Sequence, residues 1–305
     1  MLKTYIKSLP LIALFAIFTV IMAGGQPAHA IQAPVNLRTA SPFAILSGTP
    51  GITDAGNASV IHGNVGLSPA TGAGIALTCS QVTGTIYSVD ATGPLPCRLT
   101  DGPLLLTAKN NLTTAYLDAA GRTPVTTVPT ELGGTTLVSG VYDSSSTTLG
   151  ITAGAGPLVL DGQNNTSSVF IFEAPFSGNG LTVASGSSIS LINGAQACNI
   201  FWRVDSASIN TTSTFYGTIL ALNSITVANG ANIQGRLLAR NGDVTLINDT
   251  ITASVCAGND TPDVTPGLPN TGGMTGQYVL WGAVSTLLLT SGLLLAFVAY
   301  KKRSI

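Results

Sequence analysis

Between residues 36 and 257 the hydrophobic positions recur at two spacings. Most of the stretch alternates apolar and polar residues over three to six positions and breaks at Gly, Asn or Ser. That pattern predicts short β-strands. In Ile225-Thr226-Val227 the Ile and Val would face inward and the Thr outward, and Leu181-Thr182-Val183 and Val244-Thr245-Leu246 repeat the arrangement. One segment differs. From about Pro103 to Ala120, the residues Leu105, Ala108, Leu112, Ala115, Tyr116 and Ala119 form a single helical stripe. Asp101 can cap this helix, Pro103 sits just inside it, and Gly121 is placed to end it in a left-handed turn.

The strands also repeat at long range. The segment from Gly217 to Ser224 returns 18 residues later as Gly235 to Gly242. Leu181–Ile189 is echoed by Ile225–Ile233, and Val169–Phe172 matches Ile200–Val204. A period near 18–20 residues with three short strands per repeat predicts a mainly β chain coiled as a β-solenoid. Each coil is too small to bury its own apolar face, and stacking makes one continuous core. Outward hydroxyls of successive coils then form columns about 4.8 Å apart.

Composition sharpens this picture. Only 8% of residues are charged, against about 25% in an average soluble domain, while threonine supplies 39 positions and glycine 35. The outward faces of the coils are therefore small, polar and almost uncharged. With a net charge of −1 there is no basic excess, which argues against a nucleic-acid partner.

The two ends carry different information. Residues 1–30 read as a secretory signal peptide: Lys3 and Lys7, an apolar run from Leu9 to Met22, and the small-x-small site Ala28-His29-Ala30. At the other end, Tyr278 to Tyr300 is uncharged for 23 residues, long enough as a helix to cross a bilayer. Lys301, Lys302 and Arg303 follow it in the 301–305 tail and should stay in the cytoplasm. Leu268-Pro269-Asn270-Thr271-Gly272, just upstream, resembles the LPxTG signal of sortase substrates. That resemblance implies cleavage between Thr271 and Gly272 and transfer of Thr271 to a cell-wall acceptor; a retained membrane anchor is the alternative. Residues 31–257 would be the exported domain and 258–271 a short Pro/Thr linker. Domain and linker together, residues 31–271, carry seven basic and 13 acidic residues, a net charge of −6. A cell-surface location is expected either way.

Cys79, Cys97, Cys198 and Cys256 all lie in the exported part. An even number in an oxidising compartment suggests two disulfides, and of three pairings we expect Cys79–Cys97 and Cys198–Cys256. No metal site or cofactor is expected, because no CxxC spacing occurs and His62 is the only exported histidine. Enzymatic activity is not expected either. The acids are scattered, and the closest group, Asp243 and Asp249 near Arg240, reads as a solvated turn ion pair.

Several segments, in order, carry a family resemblance. They are Asn36–Gly48, Ile61–Pro69, Leu112–Arg122, Leu191–Val204, and the repeats at Gly217 and Gly235. The chain from Asn36 to Ala257 resembles the β-solenoid ice-binding proteins of bacteria, fungi and algae. The resemblance implies a right-handed, triangular β-helix with one long helix alongside, acting as a monomer that adsorbs to an ice crystal through one flat face. Members of the family show a loose T-A/G-x-T/N pattern on that face. The corresponding residues here are Ser185 and Ser188, Thr211 and Thr214, Asn229 and Asn232, with Thr250 continuing the column. Only the Thr211 copy has threonine at both ends, and its second position departs from Ala or Gly. A rival column is Thr182, Ser208, Thr226 and Thr245. Threonine suits either column: the hydroxyl bonds water, the methyl is apolar, and the β-branch limits rotamer entropy. Together these readings describe a surface-anchored ice-binding protein. The alternative is an adhesin for glycan or protein, or a structural surface protein, on the same scaffold.

Overall fold

The structure, a computed structural model, describes residues 32–257 apart from 145 and 176–179. The expected signal peptide, linker, sorting motif, apolar span and basic tail lie outside the described residues. Among the described residues all strand pairs are parallel, in sheets of twelve, seven and three strands. The chain visits the three sheets in rotation. Phe170–Ala174 lies in the first, Leu181–Val183 in the second and Ile189–Ile192 in the third, and Ile200–Val204 then stacks on Phe170–Ala174. The expected repeats are coil-to-coil neighbours: Gly217 pairs with Gly235, and Leu181, Ala207 and Ile225 stand in one column.

The eight-residue strands Thr214–Ala221 and Asn232–Ala239 turn a corner at those glycines. Their first halves carry on the third side and their second halves join the first sheet. Gly217 has φ +114°, and a Cβ on Gly235 would stand 1.8 Å from the Gly217 carbonyl oxygen. No side chain fits either position, which explains why the repeat keeps glycine.

Inward residues of all three sheets share one core. Its centre is a ladder of rings: Tyr142 on Phe172, Phe172 on Trp202 at 4.0 Å between centroids, and Trp202 against Phe215. Trp202 Nε1 donates to the Tyr216 carbonyl, so the buried indole keeps its hydrogen bond.

Coil order differs from simple sequential stacking. The first strand, Phe43–Ser47, pairs with Asn232–Ala239 and therefore sits in the middle of the first sheet. From there Asn64–Leu67, Ile86–Ser88 and Arg98–Thr100 step out to one end. The helix α1, Gly102–Ala120, leads back to Val125–Val128 at the other end. The remaining coils then stack inward until the last meets the first.

The helix forms for the reasons its sequence gives. Asp101 accepts a hydrogen bond from the Leu104 N–H, and the six expected stripe residues are all buried. They cover Leu46, Val141, Val169, Ile171, Phe201, Leu220 and Leu238 on the outer face of the first sheet. One expectation fails: Gly121 follows the helix at φ −92°, not in the left-handed region. Its N–H reaches the Asp118 and Ala119 carbonyls without a left-handed turn.

Both expected disulfides are present, Cys79–Cys97 and Cys198–Cys256. The second fastens the end of the domain to the turn before Ile200–Val204. Beside it, Arg236 donates to the Ser41 and Ser254 carbonyls, joining the first coil to the last segment of the domain.

Candidate functional site

Because α1 packs on the inner strands of the first sheet, the second sheet and the third side present the long open strand faces among the described residues. The second sheet has a single outward position on each strand. In register these are Gly150, Thr182, Ser208, Thr226, Thr245, Thr53 and Ala76. The rival column of the sequence reading is thus one continuous row, and the fold adds Thr53 to it. Thr53 comes from the second strand of the chain, beside Thr245 only because the first coil docks on the last. Sequence spacing carries no signal for that neighbour. The Thr53 hydroxyl donates to that of Thr245 across the junction, 3.4 Å apart.

No side chain in this row is larger than threonine and none is charged. Residues on either side of it, such as Leu181 and Val183 or Ile225 and Val227, are fully buried. Backbone ladders fix the rungs about 4.8 Å apart, and the β-branched side chains hold their rotamers. The result is a regular strip without a charged side chain from Gly150 to Ala76; beyond Gly150, Glu131 pairs in register and closes that end with a carboxylate, which accepts from the Gly133 and Thr152 N–H groups.

The first-choice residues are brought together differently. Ser188, Thr214, Asn232 and Thr250 form a real column, but on the third side, where Val60 continues it. Ser185, Thr211 and Asn229 lie in the turns before it. The two ends of each four-residue motif therefore sit on two sides of one corner. Next to the third-side column stand Tyr216, Gln234, Thr252 and His62, which differ widely in size. That side is less even than the second sheet.

The turn itself accounts for the second motif position. Gly186 has φ +71° and Gly230 φ +77°, and Thr212 holds the same left-handed conformation at φ +57°. A β-branched residue is strained there. Thr212→Gly is expected to stabilise the domain by about 1 kcal/mol. A thermal melt should show a rise of about 2–4 °C.

The group of Asp243, Asp249 and Arg240 does not form a solvated ion pair. Asp249 is 1% exposed and faces inward at the corner, where its carboxylate accepts from the Ala231 and Ile247 N–H groups. Asp243 accepts from the Thr245 hydroxyl, and the Arg240 guanidinium lies over the Tyr116 ring. His62 is exposed beside the Thr83 hydroxyl. Among the described residues no group of three or more His, Cys, Asp or Glu is placed to hold a metal ion.

Burial pushes the Asp249 carboxyl up to about 6, against the pull of its two N–H donors, and nearby Asp54 adds to the rise. Burial acts on Asp54 too, but hydrogen bonds from Ser59, Asn248 and Gly56 outweigh it and hold that carboxyl below its usual range. The folded state thus binds the Asp249 proton more tightly than the unfolded chain does. Its contribution to stability is complete below pH ~4 and is lost as pH rises through about 6. We expect the wild type to gain on the order of 1 kcal/mol between pH 6.5 and 4.5, and Asp249→Asn not to gain it. Melting curves of both proteins at the two pH values check this.

Comparison with known proteins agrees with this architecture. A family model described as Ice-binding-like matches residues 45–252. An ice-binding protein of Flavobacterium frigoris is 43% identical over 222 residues, covering 72% of this chain and 76% of that protein. One from Colwellia sp. is 39% identical over 256 residues, covering 83% and 96%. Among solved structures, the DUF3494 domain of ice-binding protein 1 from Shewanella frigidimarina superposes with a TM-score of 0.64 at 29% identity, covering 74% of this chain and 99% of that one. With parallel sheets, one covering helix and matches of this extent, the chain belongs to the ice-binding-like family.

Proposed function

We propose that this protein adsorbs to ice through the open face of the second sheet. Thr182, Ser208, Thr226, Thr245 and Thr53 would be the contacting row, with Ser185, Thr211 and Asn229 along its edge. The observation that carries the reading is the seven-rung row of small, uncharged, registered side chains. Ice offers neither a charge nor a pocket, so binding rests on many weak contacts in register. Such contacts need flatness and stiffness, which long or charged side chains would remove. The family match supports ice as the ligand. The coil order is read as a right-handed, triangular solenoid with the helix along one side.

In this reading the protein works at the cell surface. The signal-like residues 1–30, the sequence Leu268–Gly272, the apolar stretch 278–300 and the basic end support export and sortase attachment. Display in many copies would make weak single-domain adsorption sufficient to hold a cell to ice or to modify ice growth. Growing an ice hemisphere from a dilute fluorescent preparation tests binding, with a folded inert protein of similar charge as control. Enrichment in the ice is expected, and exclusion of folded protein refutes the ice reading. Attachment is tested separately, by cell fractionation of wild type and Thr271→Ala. Wild type should stay with the wall after detergent extraction, and the variant should be released.

A further inference from the structure

The inside of the corner between the second sheet and the third side is polar, which is unusual for a core. Ser187, Ser213, Ala231, Asp249 and Ser59 occupy equivalent positions in successive coils. In the first four the carbonyl accepts the N–H that opens the next coil's third-side strand: Thr214, Asn232, Thr250 and Val60 in turn. Ser187, Ser213, Asp249 and Ser59 are each 2% exposed or less.

Their side chains reach neighbouring turns. Ser187 Oγ donates to the Ile151 carbonyl at 2.8 Å. Ser213 Oγ lies 3.0 Å from the Ala184 carbonyl in the coil below and 2.6 Å from the Asn210 carbonyl of its own turn. At the next rung alanine has no polar group, and Asp249 reaches back from the following coil to take the Ala231 N–H at 2.9 Å. Ser59 Oγ accepts the Asp249 N–H, and Asp54 accepts from the Ser59 N–H and from Gln81 Nε2. The polar spine therefore crosses the junction between the last and first coils without a break.

Burial does not require these groups. An apolar side chain fits the same place, as Ala231 shows, and a buried hydroxyl repays its desolvation only when paired. What the spine adds is a fixed spacing between turns. It grips Ile151, Ala184, Asn210, Ala231 and Ile247, the backbone that joins the second-sheet row to Ser185, Thr211 and Asn229.

We propose that Ser187, Ser213 and Asp249 are positioning residues for ice adsorption, holding the corner turns in register with the second-sheet row. This rests on the reading that the second-sheet face binds ice. The test compares Ser213→Ala and Ser187→Ala with Ser168→Ala in the full chain, purified in mild detergent. Ser168 is a matched control: it is 3% exposed and its hydroxyl donates to the Gly162 carbonyl at 2.9 Å, in the turn between the third and first sheets.

All three variants should melt about 2–4 °C lower and remain folded at 0 °C. Retention in an ice hemisphere should fall about tenfold for Ser213→Ala and Ser187→Ala, equivalent to 1.4 kcal/mol, and stay at the wild-type level for Ser168→Ala. Equal retention by all three variants and the wild type overturns the spine while leaving the face reading intact. An equal loss in all three also overturns it, since general softening then explains the effect. Exclusion of the wild type itself overturns both readings. Should Ser213→Ala fail to fold, Ser187→Ala carries the test, because it loses one hydrogen bond and not two.

Discussion

Thr226→Tyr should reduce retention in ice by at least about tenfold while leaving the melting temperature within about 2 °C of wild type. Thr226 is the central rung of the seven-residue row, with three small residues on either side of it. Its side chain is exposed and its strand neighbours are fully buried, so a ring added there points outward and leaves the core alone. A flat ligand cannot meet the neighbouring rungs while that ring stands between them. Thr214→Tyr and Asn232→Tyr place the same ring on the third side, where Tyr216 already stands in the adjacent column. They should adsorb like wild type. If those two lose retention and Thr226→Tyr keeps it, the third-side column is the ice face.

Trp202→Ala should have the largest effect on stability. The indole is fully buried, stacked on Phe172, tilted against Phe215 and bonded to the Tyr216 carbonyl. Truncation opens a cavity between two rings and removes the donor to the Tyr216 carbonyl. The cost is about 3–5 kcal/mol. For a domain of this size the melting temperature falls by about 10 °C. Melts by near-ultraviolet circular dichroism would report it, and an unchanged melting temperature would mean that the ring ladder is not the centre of the core. Ice retention at 0 °C should change far less than in Thr226→Tyr, since the outward row is ordered by its own backbone ladders.

Much of this architecture is legible in the chain because it is locally encoded. Strand alternation names the outward threonines of Leu181–Val183, Ile225–Val227 and Val244–Leu246, and the 3.6-residue stripe names every buried position of α1. The repeated glycines mark a corner that admits no Cβ. Three features are not encoded this way. The docking of Phe43–Ser47 on the last coil depends on a contact some 190 residues apart, and local pattern is silent about it. The motif from Ser185 to Ser188 and its two copies pass through a left-handed residue, so strand alternation does not carry across the turn and cannot reveal that the two motif ends lie on different sides of a corner. The burial of Asp249 is also hidden, because an acid in a turn reads as solvated until its two N–H donors are in view.

The fastening of the domain's end has a mechanical consequence. Ala257 donates to Gln196, and Cys256 is bonded to Cys198, at the turn between the third side and the first sheet. That turn lies across the core from the second sheet. Tension applied beyond Ala257 against a surface held by the second-sheet face would therefore run through the width of the stack, not along its length. It would enter at Cys198, ahead of Ile200–Val204, a strand paired on both sides, and so bypass the short strand Thr250–Thr252. Pulling would shear several ladders together instead of peeling the last coil.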